Sequence, residues 1–180
     1  MKKIIPVLAM LTLSLLACKT TKYTPEKFPV RQIVFGDGGG FAGIETAYTL
    51  LENGQLFKQV GVEGAYVELK AIKSKQAKEL FDKVNSLQLF KLDIDKPGNM
   101  YYFLRQVTDH LDSRVTWGAG DYMSPPGLVN VYRELKSIAK AQQEAAEAKP
   151  TKQKPKSDKD KKPDTKKDET TKSKEDNTGW

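Results

Sequence analysis

Alternation with period two and helical stripes of period three to four divide the middle of the chain into eight elements. Arg31 to Phe35 is a short β-branched and aromatic run that meets the glycines at 36 to 40. Ile44 to Leu51 alternates, with Ile44, Thr46, Tyr48 and Leu50 on one face. Asn53-Gly54 then separates it from Gln55 to Val60, the pattern of a hairpin closed by a type I′ turn. Ala65 to Ile72 reads as a fourth strand. Behind Ser74 as N-cap, Ala77, Leu80, Phe81, Val84 and Leu87 form a helical stripe. Met100 to Val107 and Arg114 to Trp117 read as a strand pair turning at Asp109 to Asp112. Ser124 as N-cap and Pro125 at N1 open a last helix, whose buried stripe is Leu128, Val131, Tyr132, Leu135, Ile138 and Ala139. From Gln142 to Ala148 no large apolar residue follows, so this end is expected to fray.

The predicted order is β-β-β-β-α-β-β-α. Hairpins dominate, so the expected class is α+β: a largely antiparallel sheet of five to six strands with two helices on one face. Residues 30–146 form this globular domain. Residues 147–180 read as a disordered Lys-rich tail, because from Lys149 onward Trp180 is its one aromatic and Ile, Leu, Val, Met and Phe are absent.

The start of the chain has a different pattern. Lys2 and Lys3 precede an apolar run from Ile4 to Leu16, interrupted by Pro6, Thr12 and Ser14. That run is shorter than the ~20 apolar residues a bilayer span needs, so it reads as an export signal over residues 1–17. It ends in Leu15-Leu16-Ala17-Cys18, and Cys18 is the single cysteine of the sequence. This segment resembles the bacterial lipoprotein signal, the lipobox. The resemblance implies cleavage before Cys18, a diacylglycerol on its thiol, a further acyl chain (palmitate or similar) on its amino group, and a tether over residues 18–29. It makes the lipid bilayer the first expected partner. No acidic residue follows within Lys19-Thr20-Thr21-Lys22, which favours the outer membrane with the domain facing the periplasm.

Charge adds one correction. The formal net charge is +7, but the tail from 149 holds 11 Lys against 7 acids, and residues 19 to 148 hold 17 Lys and Arg against 16 acids. A nearly neutral domain gives no electrostatic case for nucleic acid.

Gly38-Gly39-Gly40-Phe41-Ala42-Gly43 satisfies G-x-G-x-x-G and resembles the dinucleotide-binding segment of flavin and nicotinamide oxidoreductases, where a pyrophosphate rests on a helix N-terminus. Dinucleotide or flavin binding through Gly38 to Gly43 is therefore the alternative function, although Asn53-Gly54 interrupts the helix it needs. His110, beside Asp109 and Asp112, reads as an exposed turn histidine. Asp93 and Asp95 are too few for a calcium loop, and His and Cys are too few for zinc. No cofactor, metal or catalytic residue is expected. A second glycine-containing loop, Gly118 to Gly127, carries Tyr122 and Met123. Gly38, Gly40, Phe41, Gly43, Tyr122 and Met123 are the candidate binding residues, forming a recognition edge if the two loops meet. The element order resembles small lipoprotein domains of Gram-negative bacteria, from which no activity carries over. The expected function is a non-catalytic binding or structural module that meets an envelope protein or polymer.

Overall fold

The structure, a computed structural model, describes residues 21–148. Cys18, the signal and the tail from 149 lie outside the described residues. Among the described residues one sheet of seven strands forms: β1 (Gln32–Gly39), β2 (Thr46–Leu51), β3 (Leu56–Val60), β4 (Val67–Glu68), β5 (Asp95–Lys96), β6 (Met100–Val107) and β7 (Asp112–Trp117). Its spatial order is β4-β3-β2-β1-β6-β7-β5, antiparallel except where β5 runs parallel to β7. Helices α1 (Ser74–Leu87) and α2 (Pro126–Glu147) complete the α+β fold. The class is the one the hairpin pattern implies. The seventh strand is the two-residue β5, too short to leave a pattern in sequence.

β1 runs further than its apolar residues suggest. Its three glycines at 36, 38 and 39 are inside the strand, all paired with β6, and Gly36 with β2 as well. Gly36 is there because a side chain would collide: a Cβ would lie 2.0 Å from the Thr46 carbonyl and 2.9 Å from the Phe103 ring. Pairing with β6 carries the strand through glycines where local propensity alone would not.

The β2–β3 hairpin forms at Asn53-Gly54, but with another turn. Gly54 N–H donates to the Leu51 carbonyl and Leu51 N–H to the Gln55 carbonyl. Only Gly54 takes positive φ (+92°). This is a three-residue loop with a left-handed glycine at its end, the other common hairpin closure. The tight form of Gly54 also lets the Ile72 carbonyl approach, 2.2 Å from where its Cβ would be.

Three further boundaries differ from the sequence expectation. The run from 65 to 72 pairs only at Val67–Glu68; Leu69 and Ile72 instead turn into the core. Lys73, not Ser74, is the N-cap of α1, and the Ser74 hydroxyl donates to the Asn53 carbonyl. Pro125, not Ser124, caps α2, and Pro126 is its first helical residue. The end of α2 stays helical through Glu147: Ala, Glu and Gln are strong helix formers, and Lys58 Nζ donates to Gln143 Oε1 at 3.1 Å.

One sheet face carries both helices. Ile33, Phe35, Leu50, Leu56, Leu104, Val115 and Trp117 pack against Leu80, Phe81 and Val84 of α1 and Leu128, Leu135 and Ala139 of α2. The other face has no helix, yet Leu51, Phe57 and Phe103 are buried on it. Phe28 covers Phe57 with ring centroids 4.8 Å apart, and Tyr66 meets Phe28 edge-on at 5.3 Å. The Arg114 guanidinium lies 3.9 Å from the Phe103 ring centre. Residues 21–29, read as tether, are thus partly held to the domain.

Candidate functional site

Strand alternation from Ile33 and Phe35 places Asp37 on the helix-covered face, at the end of β1 where the core stops. Tyr48 and Tyr102 arrive beside it from the flanking strands; Tyr48 pairs with Phe35 and Tyr102 with Asp37. On α2, Tyr132 and Lys136 are four residues apart and share one face. Together with Met100 these side chains line a groove of about 850 Å³ between α2 and the sheet.

The groove has an aromatic wall and a polar centre. Tyr132 meets Trp117 edge-on at 5.1 Å and Tyr102 at 5.5 Å. Its hydroxyl donates to the Gly36 carbonyl at 3.1 Å and lies 3.4 Å from Asp37 Oδ1. Lys136 forms an ion pair with Asp37, and its ammonium lies 4.8 Å above the Tyr48 ring. Both partners of that pair are about two-thirds covered, so the attraction is less screened than at a free surface. Tyr102 keeps 40% of its surface in solvent and Met100 keeps 49%. The groove therefore offers an exposed ring and thioether beside a fixed pair of opposite charges.

Two phenols of the groove are held in their neutral form. Burial, and then the charge of Asp37, hold the Tyr132 hydroxyl far above the usual tyrosine range. The same two causes raise Tyr48. Both phenols stay protonated at neutral pH, and Tyr132 uses its proton to donate to the Gly36 carbonyl. None of the lining side chains is a histidine or cysteine. His110 is exposed in the β6–β7 turn, where its backbone N–H donates to Thr108 Oγ1. Among the described residues, no three His, Cys, Asp or Glu side chains converge on a metal-sized site.

The six residues expected from sequence divide. Gly38 lies inside β1, not in a loop. Gly40 N–H donates to the Asn99 carbonyl at 2.7 Å, and Gly43 N–H to the Gly40 carbonyl at 3.2 Å. Phe41 and Met123 are fully or almost fully exposed, at 111% and 92%. Tyr122 is half-buried and packs against the core. The two glycine loops reach the same end of the sheet: Met100 pairs with Gly39, and the Met100 carbonyl lies 2.3 Å from where a Cβ of Gly118 would be. They flank Met100 and do not themselves form the groove. Strand β2 comes directly after the glycine loop, so a hairpin replaces the helix N-terminus that would hold a pyrophosphate.

A second concavity, about 270 Å³, lies on the open sheet face. Its guanidiniums are already engaged, Arg105 by Asp112 and Arg114 by Glu45. That leaves little free charge to attract an anion.

Asp37, Tyr48, Tyr102, Tyr132 and Lys136 are not legible as a site in the sequence. The spacing of Tyr132 and Lys136 is visible there, but nothing in it says that Asp37, 99 residues from Lys136, faces them. No protein-family model matches this chain, and no curated protein matches it.

Proposed function

We propose that the chain is a lipid-anchored lipoprotein of the bacterial envelope, at the outer membrane and facing the periplasm, whose folded part binds a protein or polymer without chemistry on it. The anchor rests on Leu15-Leu16-Ala17-Cys18 after a basic and apolar leader. Among the described residues no helix is long and apolar enough to cross a membrane.

The observation that carries the binding reading is the half-exposed Tyr102 ring in a groove where Asp37 and Lys136 beside it neutralise each other. An aromatic with one side dry and one side wet is a favoured contact for protein and polymer partners. Met100, which lines the groove beside Tyr102, adds a half-exposed apolar surface.

The test is capture from detergent-solubilised envelopes, comparing the full chain with a Tyr102→Ala, Met100→Ser variant. The reading expects a bound component that the double variant retains at least tenfold less, at unchanged thermal stability. Equal retention by both would overturn it.

A further inference from the structure

The geometry points to a bilayer-facing pole made by the β2–β3 turn, with the groove and Phe41 held away from the membrane. This rests on the proposed acylation of Cys18.

The two ends of the central strand are distinguishable. Gln32 pairs with Leu51 and Val107, so the turns at 52–55 and 108–111 lie at that end. Gly39 pairs with Met100, so Phe41, Met100 and the Gly118 loop lie at the other. The helices follow the same division. Ser74 at the start of α1 meets Asn53, and Asn85 meets Gln106. On α2, Tyr132 meets Gly36 and Lys136 meets Asp37, placing the groove toward the Gly39 end.

The chain enters the domain at the Gln32 end, through a clamp. Asn53 Nδ2 donates to the Thr21 carbonyl at 2.7 Å. Tyr23 N–H donates to Gln55 Oε1 at 2.7 Å, and Gln55 Nε2 donates back to the Tyr23 carbonyl at 3.0 Å. Gln55 is 6% exposed, so this polar side chain is committed to holding residue 23. Phe28 then packs on Phe57, fixing the next turn of chain.

Only three residue steps separate Cys18 from Thr21, a reach of at most about 11 Å. The seven steps from Gln32 to Gly39 span about 23 Å. An acyl group buried in the bilayer therefore keeps Asn53 and Gln55 close to the lipid headgroups. Lys27 and Lys73 are exposed on this entry side, where Lys22 pairs with Glu68 and Arg31 with Glu52. Lysines near an anionic surface favour the same orientation. Phe41, fully exposed and following Gly39 at the other end, is then presented to the aqueous compartment and not to the acyl chains.

The experiment uses the full acylated chain in vesicles of phosphatidylethanolamine and phosphatidylglycerol that carry a nitroxide-headgroup lipid. Acylation leaves no free thiol at Cys18, so Glu52→Cys and Phe41→Cys each supply a single labelling site, both at exposed positions. A thiol-reactive fluorophore is expected to be quenched at least threefold more at 52 than at 41. Equal quenching, or stronger quenching at 41, in chains that float with the vesicles would overturn the orientation alone. Chains that fail to float would overturn the anchor and the orientation together.

Discussion

The Tyr132 hydroxyl donates to the Gly36 carbonyl at 3.1 Å, tying α2 to the central strand across 96 residues of chain. On the opposite face of the strand, the missing side chain of Gly36 lets the Phe103 ring and the Thr46 carbonyl close over the backbone. Tyr132→Phe keeps the ring against Trp117 and Tyr102 and removes only the donor. It is expected to lower stability by about 1 kcal/mol, the ordinary net worth of a buried hydrogen bond, read as a lower urea midpoint at unchanged slope.

Alkaline pH tests the same residue. Its folded-state value lies above the ordinary tyrosine value of about 10 because of burial and the Asp37 charge. Above pH ~10 the unfolded chain therefore releases a proton that the folded chain keeps. The stabilisation from the neutral phenol is complete below that pH and declines above it, by up to about 1.4 kcal/mol per pH unit for this one group. Tyr132→Phe is expected to flatten the alkaline limb of a stability profile between pH 9 and 11. Tyr48 and Tyr101 are raised as well, so a residual slope remains.

Gly36→Ala is expected to cost more than about 3 kcal/mol, or to prevent folding, since the obstructing atom is a backbone carbonyl that cannot rotate away. Gly120→Ala, where a Cβ meets nothing within 4 Å, is the control and is expected to change stability by less than about 0.5 kcal/mol. Thermal denaturation of the two variants separates these outcomes.

Phe41→Ser and Met123→Ser are expected to leave stability within about 0.5 kcal/mol of the parent, because both side chains stand in solvent. Tyr122→Ala is expected to cost about 1 to 2 kcal/mol, because Tyr122 covers part of the core. Denaturant titration of the three variants distinguishes surface residues that are free to contact a partner from one that serves the fold.

The fold class is legible because its signals are local. Apolar stripes such as Leu80, Phe81 and Val84 state their own buried face, and Asn53-Gly54 marks a hairpin whichever turn closes it. The extension of β1 through Gly36, Gly38 and Gly39 is not legible. Glycine has low strand propensity, and its state here is determined by pairing with β6, joined by β2 only at Gly36. That gap hides the groove, for Asp37 joins the face of Ile33 and Phe35 only when the strand is carried through the glycines. The expected recognition edge is half legible: exposed Phe41 and Met123 follow from small, turn-rich loops, whereas the inward packing of Tyr122 depends on the core beneath it.

The intact mass of the N-terminal peptide, taken from the full chain purified out of bacterial membranes, tests the proposed anchor most directly. Acylation predicts that the peptide begins at Cys18 and carries diacylglycerol on sulfur and an acyl chain on nitrogen. An unmodified Cys18 thiol, or a chain that retains residues 1–17, would contradict it.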